Sequence, residues 1–196
     1  MRIFEKTATY TVREATVNNA EAIQRIYEPF VLHTTITFEE EVPSIEEMGN
    51  RIRKTLQTYP YIVIETNGVI GGYAYAKPFR PRSAYAPSVE SSIYVDKKFH
   101  GRGFGRILYT ILGQLLRDQG ITNICACVGA APEGDDPYVD ENSIAFHTHM
   151  GFRQVGRFNG CASKFNRWYD MVWMVKRVAS KQERQCKFKP YSEMFT

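Results

Sequence analysis

Ser91-Ser92-Ile93-Tyr94-Val95-Asp96-Lys97-Lys98-Phe99-His100-Gly101-Arg102-Gly103-Phe104-Gly105-Arg106 carries the strongest local structural signals in the chain. A short run of strand formers enters a cluster of glycines, and the glycines lead directly into an apolar helix expected over about 104–117 and closed by Gly120. Glycines let successive backbone N–H groups face one point without obstruction by Cβ atoms. The start of the helix adds partial positive charge, so strand, turn and helix together form a cradle for an anion. Lys97, Lys98, Arg102 and Arg106 supplement it. The phosphate loop Gly-x-x-x-x-Gly-Lys-Ser/Thr is absent, and a dinucleotide fingerprint fails because Arg106 takes the third glycine's position. A glycine-rich turn that binds nothing is the alternative at this point.

Outward from this segment, a mixed α/β domain unfolds. Tyr10 to Glu14 reads as a first strand, and Asn18 or Asn19 caps a helix with Ile23, Ile26, Tyr27 and Phe30 at helical spacing. Pro43-Ser44 followed by Glu46 and Glu47 opens a second helix running towards Tyr59. Tyr61–Glu65 and Val69–Ala76 flank Asn67-Gly68 as a hairpin. Pro78, Pro81 and Pro87 mark a loop before a strand over Val89–Val95. After the central helix come a strand at Thr122–Val128, a helix at Asn142–Met150 ended by Gly151, and strands at Phe152–Phe158 and Trp168–Val175. The order is one strand, two helices, three strands, helix, strand, helix and two strands, which implies helices covering a mostly antiparallel sheet. One domain is expected over residues 1–178. Residues 179–196 are polar and basic without periodicity and read as a surface-lying or disordered tail.

With 196 residues, 43% hydrophobic and 23% charged, the chain suits one globular domain. No apolar run reaches the ~20 residues of a bilayer span, and Met1 to Tyr10 lacks a signal's apolar region. The expectation is a cytoplasmic protein with no membrane partner. The formal charge of +4 is mild, and no dense basic stripe with interleaved aromatics argues for nucleic acid. Cys125, Cys127, Cys161 and Cys186 do not form a disulfide pattern, and they are expected to be reduced thiols. Joining Cys125 and Cys127 to His147 and His149 around zinc would need wider cysteine spacing, so no metal is expected.

His100-Gly101-Arg102-Gly103-Phe104-Gly105 resembles the pyrophosphate loop, Gln/Arg-x-x-Gly-x-Gly/Ala, of the GCN5-related N-acetyltransferases (GNAT), with His100 in place of Gln or Arg. The similarity extends over about residues 10–177 and points to the phosphinothricin acetyltransferase-like branch. It is carried by His33-Thr34-Thr35-Ile36-Thr37-Phe38-Glu39, by Phe79-Arg80-Pro81-Arg82-Ser83-Ala84-Tyr85, and by Val89-Glu90-Ser91-Ser92-Ile93-Tyr94-Val95. Ser143 to His147 with Met150-Gly151-Phe152, and the ending Gly160, Lys164, Trp168 and Asp170, complete the pattern.

The resemblance implies a single GNAT-type domain whose strands splay around acetyl-CoA, and transfer of the acetyl group to a small amino-acid-like amine. An ammonium cannot attack a thioester until it loses a proton, so a carboxylate base is needed nearby. Glu90, on the strand entering the cradle, is that base in the family comparison; a solvated glutamate or one paired with Arg80 or Arg82 is the plain alternative. His147 stands where many acetyltransferases place a tyrosine, and reads as a catalytic or cofactor-positioning group, or else as a helix histidine bonded within the fold. His149 reads as surface. His100, Gly101, Arg102, Gly103, Phe104, Gly105 and Arg106 would hold the pyrophosphate. Backbone amides near Tyr94 and Val95 would meet the pantetheine, and Asn142, or Asp140 two positions earlier, would contact the cofactor. Arg80 and Arg82 suit an acidic substrate end, with Thr35, Thr37, Phe38 and Tyr85 around it. The acidic stretch Glu133, Asp135, Asp136, Asp140 and Glu141 keeps a cationic substrate such as a polyamine or aminoglycoside open, and a protein N-terminus as acceptor or a catalytically silent coenzyme A-binding module are the further alternatives. The branch also implies a homodimer, with Lys164 to Trp168 near its interface.

Overall fold

The computed structural model describes residues 1–134, 136–139, 142–180 and 188–195. Its elements follow in the order β1 (Ile3–Lys6), β2 (Thr11–Glu14), α1 (Ala20–His33), α2 (Ile45–Thr58), β3 (Tyr61–Thr66), β4 (Val69–Pro78), β5 (Ser88–Val95), α3 (Phe104–Asp118), β6 (Asn123–Ala130), α4 (Asn142–His149), β7 (Arg153–Lys164) and β8 (Arg167–Arg177). One sheet of eight strands has the spatial order β1-β2-β3-β4-β5-β6-β8-β7. Every neighbouring pair is antiparallel except β5 and β6. That exception follows from the connection, since a parallel pair needs a crossover and α3 supplies it.

Local chemistry sets the element ends. Ser44 Oγ accepts the Glu47 N–H at 3.1 Å and caps α2. Asn67 and Gly68 both take positive φ, 50° and 75°, as the tight β3–β4 turn requires. Phe165 and Asn166 do the same between β7 and β8, at 53° and 57°. That turn carries no glycine, which is why the sequence reading ended β7 at Phe158 and the strand in fact continues to Lys164. Two irregularities interrupt its pairing with β8, between Gln154 and Gly156 and between Phe158 and Ala162.

The sheet separates two apolar layers. On one face α3 packs Leu108, Leu112 and Leu116 against Ile62, Ile64, Ala74 and Ile124. On the other, Ile23, Ile26 and Val31 of α1 and Met48 and Ile52 of α2 cover Val63, Tyr61, Tyr73 and Tyr94. The alternation of β3 and β4 residues between these layers is the period-2 pattern of a strand covered on both sides.

The structure adds two features to the sequence reading. Ile3–Lys6 forms an extra strand beside β2. Residues 188–195, read as part of a surface-lying tail, pack into the molecule: Tyr191 is buried and its hydroxyl donates to Glu14 Oε2 at 2.9 Å. Gln119 Nε2 donates to the carbonyls of Thr58 and Lys189, and the Arg2 guanidinium lies 3.6 Å from the Phe195 ring centroid. Aromatic residues that bury apolar area anchor this segment without needing periodicity.

The segment between α1 and α2 is fixed against β6 and β7. Buried Lys164 donates from Nζ to the carbonyls of Thr34 at 2.9 Å and Thr37 at 2.8 Å. A Cβ placed on Gly129 would meet the Thr35 carbonyl oxygen at 2.5 Å and the Phe38 ring at 3.3 Å. Gly129→Ala therefore pushes this segment off the sheet and is expected to cost about 1–3 kcal/mol in urea unfolding. Gly156→Ala, with open space around its Cβ, is expected to stay within about 0.5 kcal/mol of wild type. Equal effects from the two changes would remove close approach as the cause.

Candidate active site

The parallel pairing of β5 and β6 is short. It covers only Ser88, Val89 and Glu90 against Asn123, Ile124 and Cys125. Beyond Glu90 the two strands diverge, β5 staying with β4 and β6 with β8. A cavity of about 470 Å³ fills the wedge, and Glu90, Tyr94, Val95, Cys127, Val128 and Gly129 line its strand walls.

The glycine-rich turn closes the wide end of this wedge. His100, Gly101, Gly103, Phe104, Gly105 and Arg106 line it, and Asn142, Phe146 and His147 of α4 form its other side. Gly101 and Gly103 hold φ of 75° and 78°, the left-handed conformation that glycine adopts without strain. Gly103 occupies the cap position of α3, and no side chain accepts a hydrogen bond there. The first N–H groups of a 15-residue helix thus reach the cavity without an intrahelical acceptor. Behind the turn, Asp96 Oδ1 accepts the Lys98 N–H at 2.9 Å. His100 Nε2 lies 3.0 Å from the Val95 carbonyl and donates to it, tying the turn to the end of β5. Phe99 and Phe104 stack with centroids 5.5 Å apart, against Gly71.

His147 is buried on the α3 side of the wedge. Its Nδ1 sits 2.6 Å from the Ser143 carbonyl and must therefore carry a hydrogen. Burial lowers its pKa below the ordinary 6.5, although the Ser143 carbonyl opposes this, so near neutral pH Nε2 is a bare acceptor. The Tyr109 hydroxyl, 2.9 Å away, donates to it. Ser91 Oγ lies 3.1 Å from the same hydroxyl. Burial raises the Tyr109 pKa, so this chain of groups is neutral.

Glu90 faces the α1 side, opposite Lys77 in the β4–β5 register. Lys77 Nζ stands 2.9 Å from Glu90 Oε1, and the Glu90 side chain is only 17% exposed. The expected alternative partners, Arg80 and Arg82, are elsewhere: Arg80 lies over Phe79 and Trp173, at 4.8 Å and 5.8 Å from their centroids, and Arg82 is exposed. Burial also pushes the Cys127 thiol up to about 12, with Glu90 adding to the effect.

The structure thus gathers Glu90, Tyr94, Val95, His100, Gly101, Gly103, Phe104, Gly105, Arg106, Asn142 and His147 around one cavity. Arg102, Thr35, Phe38, Arg80, Arg82 and Tyr85 are not among its walls. Thr35 is buried, with its N–H and hydroxyl both on the Tyr138 carbonyl. Phe38 packs near Tyr169, and Tyr85 against Phe79. Of the acidic stretch, Asp135, Asp140 and Glu141 lie outside the described residues, and Asp136 pairs with Arg167 at 2.9 Å. Cys186 is likewise outside them. Among the described residues Cys125, Cys127 and Cys161 are free thiols, and no three metal-ligating side chains converge. His149 is exposed. Sequence reasoning missed Tyr109, Phe30, Ile36 and Lys77. Tyr109 was hidden in an apolar helical stripe, and Lys77 became visible only once the strand register paired it with Glu90.

A glycine turn at an uncapped helix start, a wedge between parting strands and a carboxylate at its apex define an acyltransferase of the acetyl-CoA-dependent kind. Residues 12–173 match the family model described as "Acetyltransferase (GNAT) domain", and the chain belongs to that family. It is 36% identical over 173 residues to the phosphinothricin N-acetyltransferase of Alcaligenes faecalis, covering 85% of this chain and 81% of that one. It is 30% identical to the L-methionine sulfoximine/L-methionine sulfone acetyltransferase of Salmonella typhimurium, over 84% and 92% of the two chains. The crystal structure of a GNAT superfamily phosphinothricin acetyltransferase from Sinorhizobium meliloti in complex with acetyl-CoA superposes with a TM-score of 0.82 and 30% identity, covering 94% and 97%. The chain is an acetyltransferase of the GNAT family, similar to its phosphinothricin acetyltransferases. No helix among the described residues is long and apolar enough to cross a membrane.

The buried neutral His147 makes a stability prediction. Its folded pKa lies below the unfolded value, so the unfolded chain binds the proton first as pH falls. Stability is full above the ordinary 6.5, and its His147 share is lost as pH drops below that value. Thermal unfolding between pH 7.5 and 5 is expected to show a smaller loss for His147→Gln than for wild type. Parallel curves would exclude His147 from the acid sensitivity.

Proposed function

We propose that the chain moves the acetyl group of acetyl-CoA to the amine of a small amino-acid-like molecule of the phosphinothricin or methionine sulfoximine/sulfone class. The single observation that carries this reading is that the uncapped, glycine-built start of α3 and the Glu90 carboxylate line one continuous wedge. The amides of residues 101–106, with Arg106 and the nearby Arg102, hold the diphosphate. The stretch of β5 at Tyr94 and Val95, beyond its pairing with β6, and the Asn142 side of α4 flank the pantetheine. Bound there, acetyl-CoA supplies the electrophilic thioester carbonyl.

The protein's part is positioning and proton transfer. Glu90 accepts one proton from the incoming ammonium and frees the nitrogen lone pair for attack on the thioester carbonyl. The second proton leaves the nitrogen as the C–S bond breaks, and the departing thiolate takes it up. His147 and Tyr109, both neutral, orient polar hydrogen bonding at the sulfur end of the wedge instead of carrying charge. Arg80 and Arg82, exposed before β5, receive the phosphinate, sulfoximine or sulfone end of the substrate as it enters, and Phe38, Tyr85 and the Thr35 segment frame that side. Engagement of Asp136 by Arg167 weakens the case for a polyamine or aminoglycoside, because it satisfies a carboxylate that such a cation would need.

The family resemblance implies a homodimer, and Phe158 and Trp168, 58% and 67% exposed on the β7–β8 hairpin, offer apolar area for it. Lys164, by contrast, is buried within the chain and takes no part in such a contact.

Glu90→Gln is expected to lower turnover on methionine sulfone by ~10² or more, while calorimetry shows acetyl-CoA binding nearly unchanged. Wild-type turnover at saturating amine would take Glu90 out of the mechanism. Arg82→Ala is expected to raise the KM of the amine much more than that of acetyl-CoA. Equal rises in both would argue against contact with the polar side-chain end of the substrate.

A further inference from the structure

The Lys77–Glu90 ion pair joins residues that line two different cavities. Glu90 lines the wedge described above, and Lys77 lines a second cavity of about 550 Å³ on the α2 side of the sheet. Tyr27, Tyr61, Tyr73 and Tyr75 contribute to its walls, and Arg51, paired with Glu39 at 2.7 Å, lies across it. Lys77 Nζ is thus within reach of the second cavity while it holds the proposed base of the first.

This arrangement poses a problem for an amine substrate. Glu90 cannot receive a substrate ammonium beside Lys77 without setting two like charges against one half-buried carboxylate. Lys77 is a full ammonium at neutral pH: burial pulls its pKa down, but Glu90 outweighs this and raises it above 10.5. The repulsion is relieved only by a substrate that brings its own anion next to the amine. In an α-amino acid the nitrogen and the carboxylate oxygens lie on the order of 3 Å apart, from the standard N–Cα and Cα–C bond lengths. That separation is close to the 2.9 Å between Lys77 and Glu90.

We infer that Lys77 is the receptor for the substrate's α-carboxylate, exchanging Glu90 for that carboxylate as Glu90 takes the α-ammonium; this rests on the proposed acetylation of an amino-acid-like amine. Two ion pairs, one in the protein and one in the zwitterion, swap partners without a net change of charge. Free α-amino acids are selected by this exchange. Their amides and esters, and simple polyamines, leave Lys77 and the incoming ammonium competing for Glu90. Arg80 and Arg82 remain for an anionic or strongly polar side-chain group.

The test compares kcat/KM for methionine sulfone and methionine sulfone amide, with acetyl-CoA as donor, in wild type and variants. Wild type is expected to prefer the free acid. Lys77→Met is expected to reduce that preference by about tenfold or more, the range for a hydrogen bond between charged groups. Lys77→Arg is expected to keep most of it, and Arg82→Ala to lower both substrates alike. Loss of both activities in equal proportion in Lys77→Met would make Lys77 a mere support for Glu90 and overturn the assignment, as would an unchanged preference. If wild type acetylates other amines but neither sulfone compound, the substrate class itself is wrong and Lys77's role falls with it. Unfolding temperatures of Lys77→Met and Lys77→Arg matching wild type exclude a folding effect.

Discussion

Two parallel strands, β5 and β6, part after three paired residues, and the site is built around that parting. Backbone groups inside a protein are almost always paired, so a strand that leaves its neighbour in mid-sheet needs a ligand, water or another chain for its edge. Here the departure begins at Glu90, the residue that also faces the α1 side with a half-buried carboxylate. The same geometric event therefore opens the wedge and sets a carboxylate at its apex. α3 begins at the wide end of the wedge because it is the crossover that parallel pairing demands. The helix start is thus placed there by topology, and the glycines remove the obstacles.

The two faces of the wedge differ in chemistry. On the α3 side, Ser91, Tyr109 and His147 form a buried neutral chain that adds polarity without net charge. On the α1 side, Lys77 and Glu90 form a charged pair at 2.9 Å, half open to solvent. Alternation of neighbouring β5 residues between the faces, Glu90 to one and Ser91 to the other, is enough to separate them. Elsewhere, buried Lys164 holds the α1–α2 segment by the Thr34 and Thr37 carbonyls, a charged group used for loop geometry.

Much of this was legible from residue order. The strand, glycines and helix at 91–106 carry local signals strong enough to fix both element type and location, and Asn67-Gly68 and Ser44 did so for a turn and a cap. What stayed hidden depends on tertiary partners. Ile3–Lys6 is four residues long and shows no alternation that outweighs its flanks, so only β2 makes it a strand. Residues 188–195 are seated by isolated aromatics whose slots are formed by α2 and β2. The β7 extension rests on a turn of Phe165 and Asn166, residues whose positive φ is imposed by the hairpin. Lys77's partner was unreadable for the same reason: pairing across strands is a property of register, and register is not written in either strand alone.

The open sheet leaves two edge strands, and they are protected differently. An edge offers a row of unpaired backbone groups onto which another chain can add, which is a route to aggregation. β1 limits that hazard by its length of four residues and by the irregularity at its pairing with β2. β7 is twelve residues long, but its two bulges break the regular spacing a docking strand would need, and exposed Arg153 adds positive charge along it. The molecule thus keeps an eight-stranded sheet open at both sides, as its wedge requires, while giving an intruding strand no long flat ladder to extend.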